Sequence, residues 1–293
     1  MSLLEVKNLT KRYGNELAVD DVTFLLEERT ATALIGPNGS GKTTTLSMMG
    51  GLLRPTAGSI NWNSGSGIGF LPQYPRFFPW LTALEFMEMA AKISGVDAKH
   101  ARAQSMRTLE FVGLKGEMKK KTGAFSGGMK QRLGLAQAIV HQPQLLLLDE
   151  PVSALDPAGR REIMDLLKSL QQDTTILYST HILNDAEEMT DQLLFLQNGR
   201  LVEQGSLADV RSRYAEPRIR VKFSDTAAAA AFTEKAPWEI KHEGNAVYIP
   251  VIDGRPALQE VLNYFAANSA GVTGIEHQAA SLEEIFLKVA GVR

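Results

Sequence analysis

A glycine-rich stretch, GPNGSGKTT at residues 36–44, fits the phosphate-binding pattern G-x-x-x-x-G-K-[ST] at every fixed position. An apolar run at residues 31–35 predicts a strand before it, and residues 46–49 predict the first turns of a helix after it. Such a loop points backbone N–H groups at a phosphate, and the helix directs its positive end to the same place. We expect it to bind a nucleoside triphosphate, with Lys42 at the β- and γ-phosphates and the Thr43 hydroxyl on Mg²⁺. A flexible Gly/Ser loop is the alternative.

Two adjacent acids, Asp149 and Glu150, follow four consecutive leucines at residues 145–148. An apolar run without alternation predicts a strand that is covered on both faces, as in a parallel sheet. Open α/β sheets bind their ligands at the carboxyl ends of such strands. We therefore expect Asp149 to hold Mg²⁺ through water and Glu150 to polarise the water that attacks the γ-phosphate. A solvated corner of the sheet is the alternative.

Three more polar groups stand where a predicted strand ends or a helix begins. Gln73 follows a strand, and its amide suits a role in holding Mg²⁺ or the attacking water. His181 follows another buried strand and is a candidate sensor of the γ-phosphate. Ser126, Gly127 and Gly128 open a helix, so their N–H groups and hydroxyl form a second device for binding an anion. Ser126 as a simple N-cap is the alternative.

Aromatic residues stand out at two places. Tyr13, ahead of the phosphate loop, can stack on a base through its π-face, although a half-buried aromatic at a strand end is the alternative. Residues 74–87 are unusually aromatic for a loop, which is typical of a contact surface.

The length and composition of the chain limit the classes of protein to which it can belong. A chain of 293 residues, 44% apolar and 22% charged, suits one large domain and a small one. The formal charge of -2 does not favour nucleic acid or a membrane surface as the main partner. Apolar runs such as residues 145–148 are far shorter than the roughly 20 residues of a membrane span. Without cysteines there are no disulfides or thiolate metal sites, and we expect a soluble cytoplasmic chain.

The hydrophobic pattern predicts the elements that position these groups. Residues 3–8 and 17–26 predict antiparallel strands ahead of the phosphate loop. Residues 82–93 and 97–120 predict helices, and Asn198-Gly199 predicts a hairpin turn.

The pattern changes near residues 211–217, which predicts a first domain over residues 1–215 and a small α+β domain over residues 216–293. We expect the second domain to run β-α-β-β-α-β with a terminal helix that opens with a capping box at Ser281. Its elements are predicted at residues 219–223, 226–236, 238–242, 246–251, 258–265, 272–278 and 281–289.

In their order along the chain, these motifs resemble the nucleotide-binding subunit of ABC transporters, over about residues 1–215. The resemblance implies a P-loop NTPase fold in the α/β class, with a mixed parallel sheet core, an antiparallel β-subdomain and a helical subdomain near residues 74–140. It also implies ATP and Mg²⁺ as cofactors. The implied nucleotide contacts are Tyr13 on adenine, Gly36, Asn38, Gly39, Ser40, Gly41, Lys42, Thr43 and Thr44 of the Walker A loop, Ser126, Gly127 and Gly128 of the signature, and Asp156 of the D-loop. The implied catalytic residues are Lys42, Gln73 of the Q-loop, Glu150 of Walker B and His181 of the switch, and the implied metal-holding residues are Thr43, Gln73 and Asp149.

The resemblance also implies partners. In that family the signature serves the nucleotide of the opposite subunit, and this sequence has one Walker A loop and one signature. Two nucleotide-binding domains should therefore face each other, in a homodimer or with a relative. A separate transmembrane permease is the other implied partner, with the chain peripheral on the cytoplasmic face of the cell membrane and no nucleic acid bound.

The C-terminal part is similar to the extension of export-type ATPases, which favours an exporter. A soluble ABC ATPase that acts as a mechanical switch on ribosomes or nucleic acid is the alternative.

The sequence departs from the family pattern at three places, one of which is the high aromatic content of residues 74–80, which indicates a particular docking surface. The signature reads Phe-Ser-Gly-Gly-Met, so Met129 replaces a common polar glutamine, while Ser126 and Gly128 remain. The segment between Trp62 and Ile68 is shorter than usual, which predicts a trimmed hairpin tip.

Overall fold

The structure is a computed structural model that describes residues 2–62, 67–153, 155–214, 217–252, 254–268, 271–278 and 281–289. The chain divides into two compact units, residues 1–207 and 208–293. The predicted boundary at residues 215 and 216 lies outside the described residues, as do most of the predicted hairpin tip and Ala154 of the predicted D-loop. The domain assignment therefore stays a prediction.

Strands of the first unit form two sheets. In chain order they are β1 (Ser2–Tyr13), β2 (Glu16–Glu27), β3 (Ala31–Ile35), β4 (Ala57–Trp62), β5 (Ile68–Leu71), β6 (Leu145–Leu148), β7 (Thr175–Thr180), β8 (Gln192–Gln197) and β9 (Arg200–Ser206). Among the described residues, the larger sheet has the order β5-β6-β7-β3-β8-β9, and all its pairs are parallel except β8 with β9. Strands β3, β6 and β7 are buried throughout, and for β6 and β7 this confirms the predicted burial.

The smaller sheet has the order β2-β1-β4 and is antiparallel. One hydrophobic core joins it to the larger sheet and to the first helix, α1 (Lys42–Met49). Leu9 of β1, Val22 of β2, Leu46 of α1 and Leu147 of β6 all belong to this core and are fully buried. The phosphate loop between β3 and α1 is thereby anchored on both sides by apolar packing.

Helices of the first unit follow α1 in the chain. They are α2 (Ala83–Ile93), α3 (Ala98–Phe111), α4 (Gly127–Ile139), α5 (Pro157–Gln171) and α6 (Leu183–Met189), followed by α7 (Leu207–Tyr214) at the division between the units. Helix α2 packs against α3 and α4, inside the predicted helical subdomain.

The prediction of one helix over residues 97–120 was wrong, because α3 ends at Phe111. Gly113 takes a φ of 75°, and Leu114 N–H donates to the Leu109 carbonyl at 2.7 Å while Gly113 N–H donates to Glu110 at 3.0 Å. These two bonds form a Schellman motif, which ends the helix and satisfies its last carbonyls.

The second unit is an α+β fold with the predicted order of elements. They are β10 (Arg218–Phe223), α8 (Thr226–Thr233), β11 (Lys241–Glu243), β12 (Ala246–Pro250), α9 (Leu258–Ala267), β13 (Val272–Gln278) and α10 (Leu282–Val289). The sheet is antiparallel, with the order β11-β12-β10-β13 among the described residues. The capping box of α10 is confirmed, since Glu284 N–H donates to Ser281 Oγ and Ser281 N–H donates to Glu284 Oε2, both at 3.2 Å.

Over the described residues, the structure contains no helix whose length and hydropathy would let it span a bilayer.

The core of the second unit gives a stability prediction. Phe223 is 1% exposed, and its ring lies 5.5 Å from that of Phe232 and 5.9 Å from that of Phe265. Phe223→Ala should destabilise this unit by about 3–5 kcal/mol, because it leaves a cavity among aromatic rings. Calorimetric unfolding of the full chain measures the effect, with Leu262→Ala, whose side chain is 40% exposed, as the control. Equal losses in the two variants would contradict the packing.

Candidate active site

A cleft of about 680 Å³ in the first unit collects most of the predicted nucleotide contacts. It is lined by Tyr13, Glu16, Leu17, Ala18, Asn38, Gly39, Gly41, Lys42, Thr43, Thr44, Gln73, Glu150, Asn198 and Gly199. The cleft therefore joins the phosphate loop, the end of β1, and Gln73 and Glu150, which lie two residues after the ends of β5 and β6.

Close packing fixes the path of the phosphate loop. A Cβ on Gly36 would lie 2.2 Å from the Leu196 carbonyl oxygen, and one on Gly41 would lie 2.5 Å from the Ala18 carbonyl oxygen. Gly41 also has a φ of 101°, and it stands at the N-cap of α1. The loop thus opens a helix of eight residues, and the first N–H groups of a helix have no partner within it.

The hairpin turn after β8 supports the same loop. Gly199 N–H donates to the Ser40 carbonyl at 3.0 Å, and the Gly199 carbonyl accepts from Asp20 N–H at 2.8 Å. The predicted Asn198-Gly199 turn therefore does more than reverse the chain, because it ties the phosphate loop to β2.

Lys42 is buried inside the loop and is only 6% exposed. Its ammonium donates to the Gly36 carbonyl at 2.7 Å and to the Pro37 carbonyl at 3.1 Å. Burial lowers its pKa, against the opposing effect of the Glu150 and Asp149 carboxylates. An anion that entered the loop would offset this burial, so the geometry suits a phosphate.

Ser40 adds an independent sign of a ligand. Its Oγ is buried and finds no hydrogen-bond partner among the residues that the structure describes. A buried hydroxyl without a partner is costly, and a bound phosphate oxygen would satisfy it.

Glu150 is the point at which the predicted catalytic residues meet. Its Oε2 accepts from Gln73 Nε2 at 3.2 Å, and its Oε1 lies 3.2 Å from His181 Nδ1 and 3.9 Å from Lys42 Nζ. The carboxylate is 8% exposed, and its backbone takes a φ of 46°, which is rare outside glycine. The structure therefore brings together all four predicted catalytic side chains.

Ser179 is a site residue that sequence reasoning missed. Its hydroxyl donates to Asp149 Oδ1 at 2.7 Å and accepts from Glu150 N–H at 2.9 Å. It is fully buried on β7, beside the end of β6. The only sequence signal was its place two residues before His181, at the end of a predicted buried strand.

The signature residues and Asp156 do not line the cleft. Ser126 caps α4, with its Oγ accepting from Met129 N–H at 3.3 Å, and Asp156 caps α5, with its Oδ1 accepting from Gly159 N–H at 2.8 Å. Ser126 and Gly127 are exposed. Within one chain, the predicted signature is therefore separate from the phosphate loop.

Tyr13 lines the cleft at the end of β1, with 49% of the residue exposed. Lys11 Nζ lies 5.2 Å from the centre of its ring. The ring is thus available to a planar group on its open side.

Comparison with known proteins identifies the family. Residues 19–153 match the family described as ABC transporter, and residues 205–290 match the C-terminal domain of ATP-binding proteins like DrrA1-3. The chain is 39% identical to the uncharacterized ABC transporter ATP-binding protein YxlF of Bacillus subtilis (strain 168), over 98% of this chain and 99% of that one. It belongs to the ATP-binding proteins of ABC transporters. The predicted family and fold class are thus confirmed, and the chain is an ATPase that binds ATP with Mg²⁺.

Further relatives extend this family assignment. The Nod factor export ATP-binding protein I of Burkholderia orbicola (strain AU 1054) is 33% identical over 98% of this chain and 97% of its own. A solved dimeric structure of the ATP-binding cassette MJ0796, in a post-hydrolysis state with ADP and Pi, matches with a TM-score of 0.65 and 28% identity. That match covers 70% of this chain and 99% of the cassette. ATP-binding subunits of this family dimerise and work with a transmembrane permease, and the alternative of a switch on ribosomes is not favoured.

The contacts of Ser179 generate a prediction. Ser179→Ala would leave a buried N–H and one buried carboxylate oxygen without this partner, so it should destabilise the first unit by about 1–3 kcal/mol. Because the hydroxyl also orients Glu150, ATP turnover should fall by about tenfold or more. Ser169→Ala is the matched control, since Ser169 is exposed on α5 and its hydroxyl donates to the Asp165 carbonyl of the same helix at 3.0 Å. Turnover equal to that of the control would contradict this role.

Proposed function

We propose that this ABC ATPase powers an exporter, and that Lys42, Gln73, Glu150 and His181 carry its chemistry. The observation that supports these roles is their convergence on the Glu150 carboxylate beside the cleft. The Glu150 carboxylate is buried and can accept a proton. One of its oxygens accepts from the Gln73 amide, and the other lies next to the His181 imidazole. This arrangement suits a general base that polarises water next to a triphosphate.

The donor set also suits Mg²⁺. Magnesium prefers oxygen ligands. The Thr43 hydroxyl and the Gln73 amide oxygen come from residues that line the cleft, and the Asp149 carboxylate is close enough to affect the pKa of Lys42 in the phosphate loop. These residues would hold the ion directly or through water. The bound ion would neutralise charge on the triphosphate, while Lys42 and the N–H groups of the loop hold its phosphates.

Nucleotide contacts divide between two chains in this proposal. Tyr13 would stack on adenine, and the phosphate loop from Gly36 to Thr44 would hold the triphosphate in the same cleft. The signature residues Ser126, Gly127 and Gly128 and the D-loop Asp156 would serve the ATP of a second nucleotide-binding domain. Their separation from the cleft within one chain supports this division.

Export and membrane association are the finer parts of the proposal. The C-terminal unit and the name of the Burkholderia relative, a Nod factor export protein, support an export direction. We infer that the chain is cytoplasmic, reaches the membrane through its permease alone, and binds no nucleic acid.

An exposed aromatic surface after Gln73 suits the permease contact. Tyr74 is 71% exposed, Phe78 45% and Trp80 65%, and the rings of Phe78 and Trp80 lie 5.4 Å apart. Because this surface follows Gln73 directly, its partner would be coupled to the catalytic carboxylate through a few residues.

The role of Glu150 is tested by Glu150→Gln. The substitution keeps the shape and removes the general base, so turnover should fall by about 100-fold or more while Mg·ATP still binds. Steady-state ATPase assays and nucleotide titration of the assembled transporter measure both effects. Glu28→Gln, at an exposed position, is the control. Turnover that survived Glu150→Gln would refute the assignment.

The shared site is tested by mixing two inactive chains. Chains with Lys42→Ala and chains with Ser126→Arg should each be inactive as homodimers. Their mixture forms dimers with one intact site, made from the phosphate loop of one chain and the signature of the other. We expect turnover to recover to at most about a quarter of the wild-type rate, because about half of the dimers are mixed and each mixed dimer has one intact site of two. No recovery in verified mixed dimers would mean that each chain completes its own site.

A further inference from the structure

The signature helix α4 is attached to the segment that follows Glu150 by three contacts on one face. A Cβ on Gly128 would lie 3.5 Å from Leu155, Gln131 donates to the Pro151 carbonyl, and Arg132 forms an ion pair with Glu162 of α5. Positions i, i+3 and i+4 of a helix lie on the same face, so one face of α4 meets residues between 151 and 162.

Gln131 makes the innermost of these contacts. Its Nε2 donates to the Pro151 carbonyl at 2.8 Å, both groups are buried, and the residue is 4% exposed. A buried carbonyl that lost this donor would stay unsatisfied, so the bond holds α4 and the turn at one separation. Pro151 follows Glu150 directly in the chain.

The turn itself is constrained on its other side. Ser153 Oγ and Ser153 N–H both donate to the Glu150 carbonyl, at 3.2 and 3.3 Å, and the Glu150 backbone has its left-handed φ of 46°. Rotation of the Glu150 backbone would therefore move the Pro151 carbonyl, and with it the helix bound to that carbonyl.

Nucleotide binding has a direct route to Glu150. Lys42 Nζ donates to two carbonyls of the phosphate loop and lies 3.9 Å from Glu150 Oε1. A triphosphate would draw the ammonium toward its own oxygens and place negative charge next to this carboxylate.

We propose that Gln131 is a positioning residue that couples the two nucleotide sites of the dimer. Through Pro151, it passes a change at the Glu150 of one chain to the signature end of α4 in the same chain. This inference rests on the proposed function, in which that signature serves the ATP of the partner copy. Gln131 touches no nucleotide in this scheme and acts through the helix.

The test is hydrogen exchange of the full chain, at a concentration where light scattering reports single chains. The probe is a non-hydrolysable ATP analogue with Mg²⁺, and the variants are Gln131→Met and Gln137→Met. Gln137 is the matched control because it is exposed on the same helix. In the wild type and in Gln137→Met, nucleotide should protect residues 36–44 and also change exchange at residues 125–129 by at least about fivefold.

Gln131→Met should keep the protection at residues 36–44 and lose the change at residues 125–129. A change at the signature that persists in Gln131→Met, or that is missing in the wild type, would overturn the coupling. Absence of protection at residues 36–44 in the wild type would instead refute the nucleotide site on which the proposal rests.

If Gln131→Met does not fold, a second pair of variants tests the same coupling. Arg132→Glu places an acid opposite Glu162, whose side chain is 58% exposed, and should suppress the change in exchange at residues 125–129. Adding Glu162→Arg restores opposite charges and should restore most of the response. A folded double variant that stays as unresponsive as Arg132→Glu would count against the coupling face.

Discussion

Burial of one carboxylate, that of Glu150, is the constraint on which the architecture of this ATPase depends. A buried charge is tolerated only when opposite charges and hydrogen bonds surround it. The order of strands in the larger sheet meets this need, because β5, β6, β7 and β3 are neighbours and each ends beside the same point. They deliver in turn Gln73, Glu150 itself, the Ser179–His181 segment and the loop that holds Lys42. A change in strand order would separate these groups even if every motif were kept.

Local signals in the sequence predicted most of this site. Short sequence patterns locate the phosphate loop, the pair of acids and the residues that end buried strands. These patterns span only a few positions, so the groups could be predicted without knowledge of the tertiary structure. The same holds for the second unit. Its pattern of apolar and polar residues and its capping box predicted the order of elements that the structure has. Membership of the family then supplied the relation between motifs far apart in the chain.

Long-range packing set the features that sequence reasoning missed. Ser179 matters because β7 lies beside β6, and no local pattern distinguishes its hydroxyl from that of any serine in a strand. The support of the phosphate loop by Gly199 likewise depends on the pairing of distant segments.

The prediction of a helix across residues 97–120 was wrong for a local reason. The apolar residues continue with helical spacing, although Gly113 ends the helix. Propensity is a weak guide where a single glycine ends a helix.

The steric environment of the phosphate loop accounts for the form of the motif itself. Its two invariant glycines correspond to Gly36 and Gly41, which are the positions where a side chain would collide with a backbone carbonyl. Gly39 occupies a position that the motif leaves variable, and a Cβ there would meet nothing within 4 Å. Its φ of 80° favours glycine but also admits residues such as asparagine. The folded chain alone would thus select glycine at these two positions in a saturation library, because the carbonyl oxygens of Leu196 and Ala18 leave no room for a side chain.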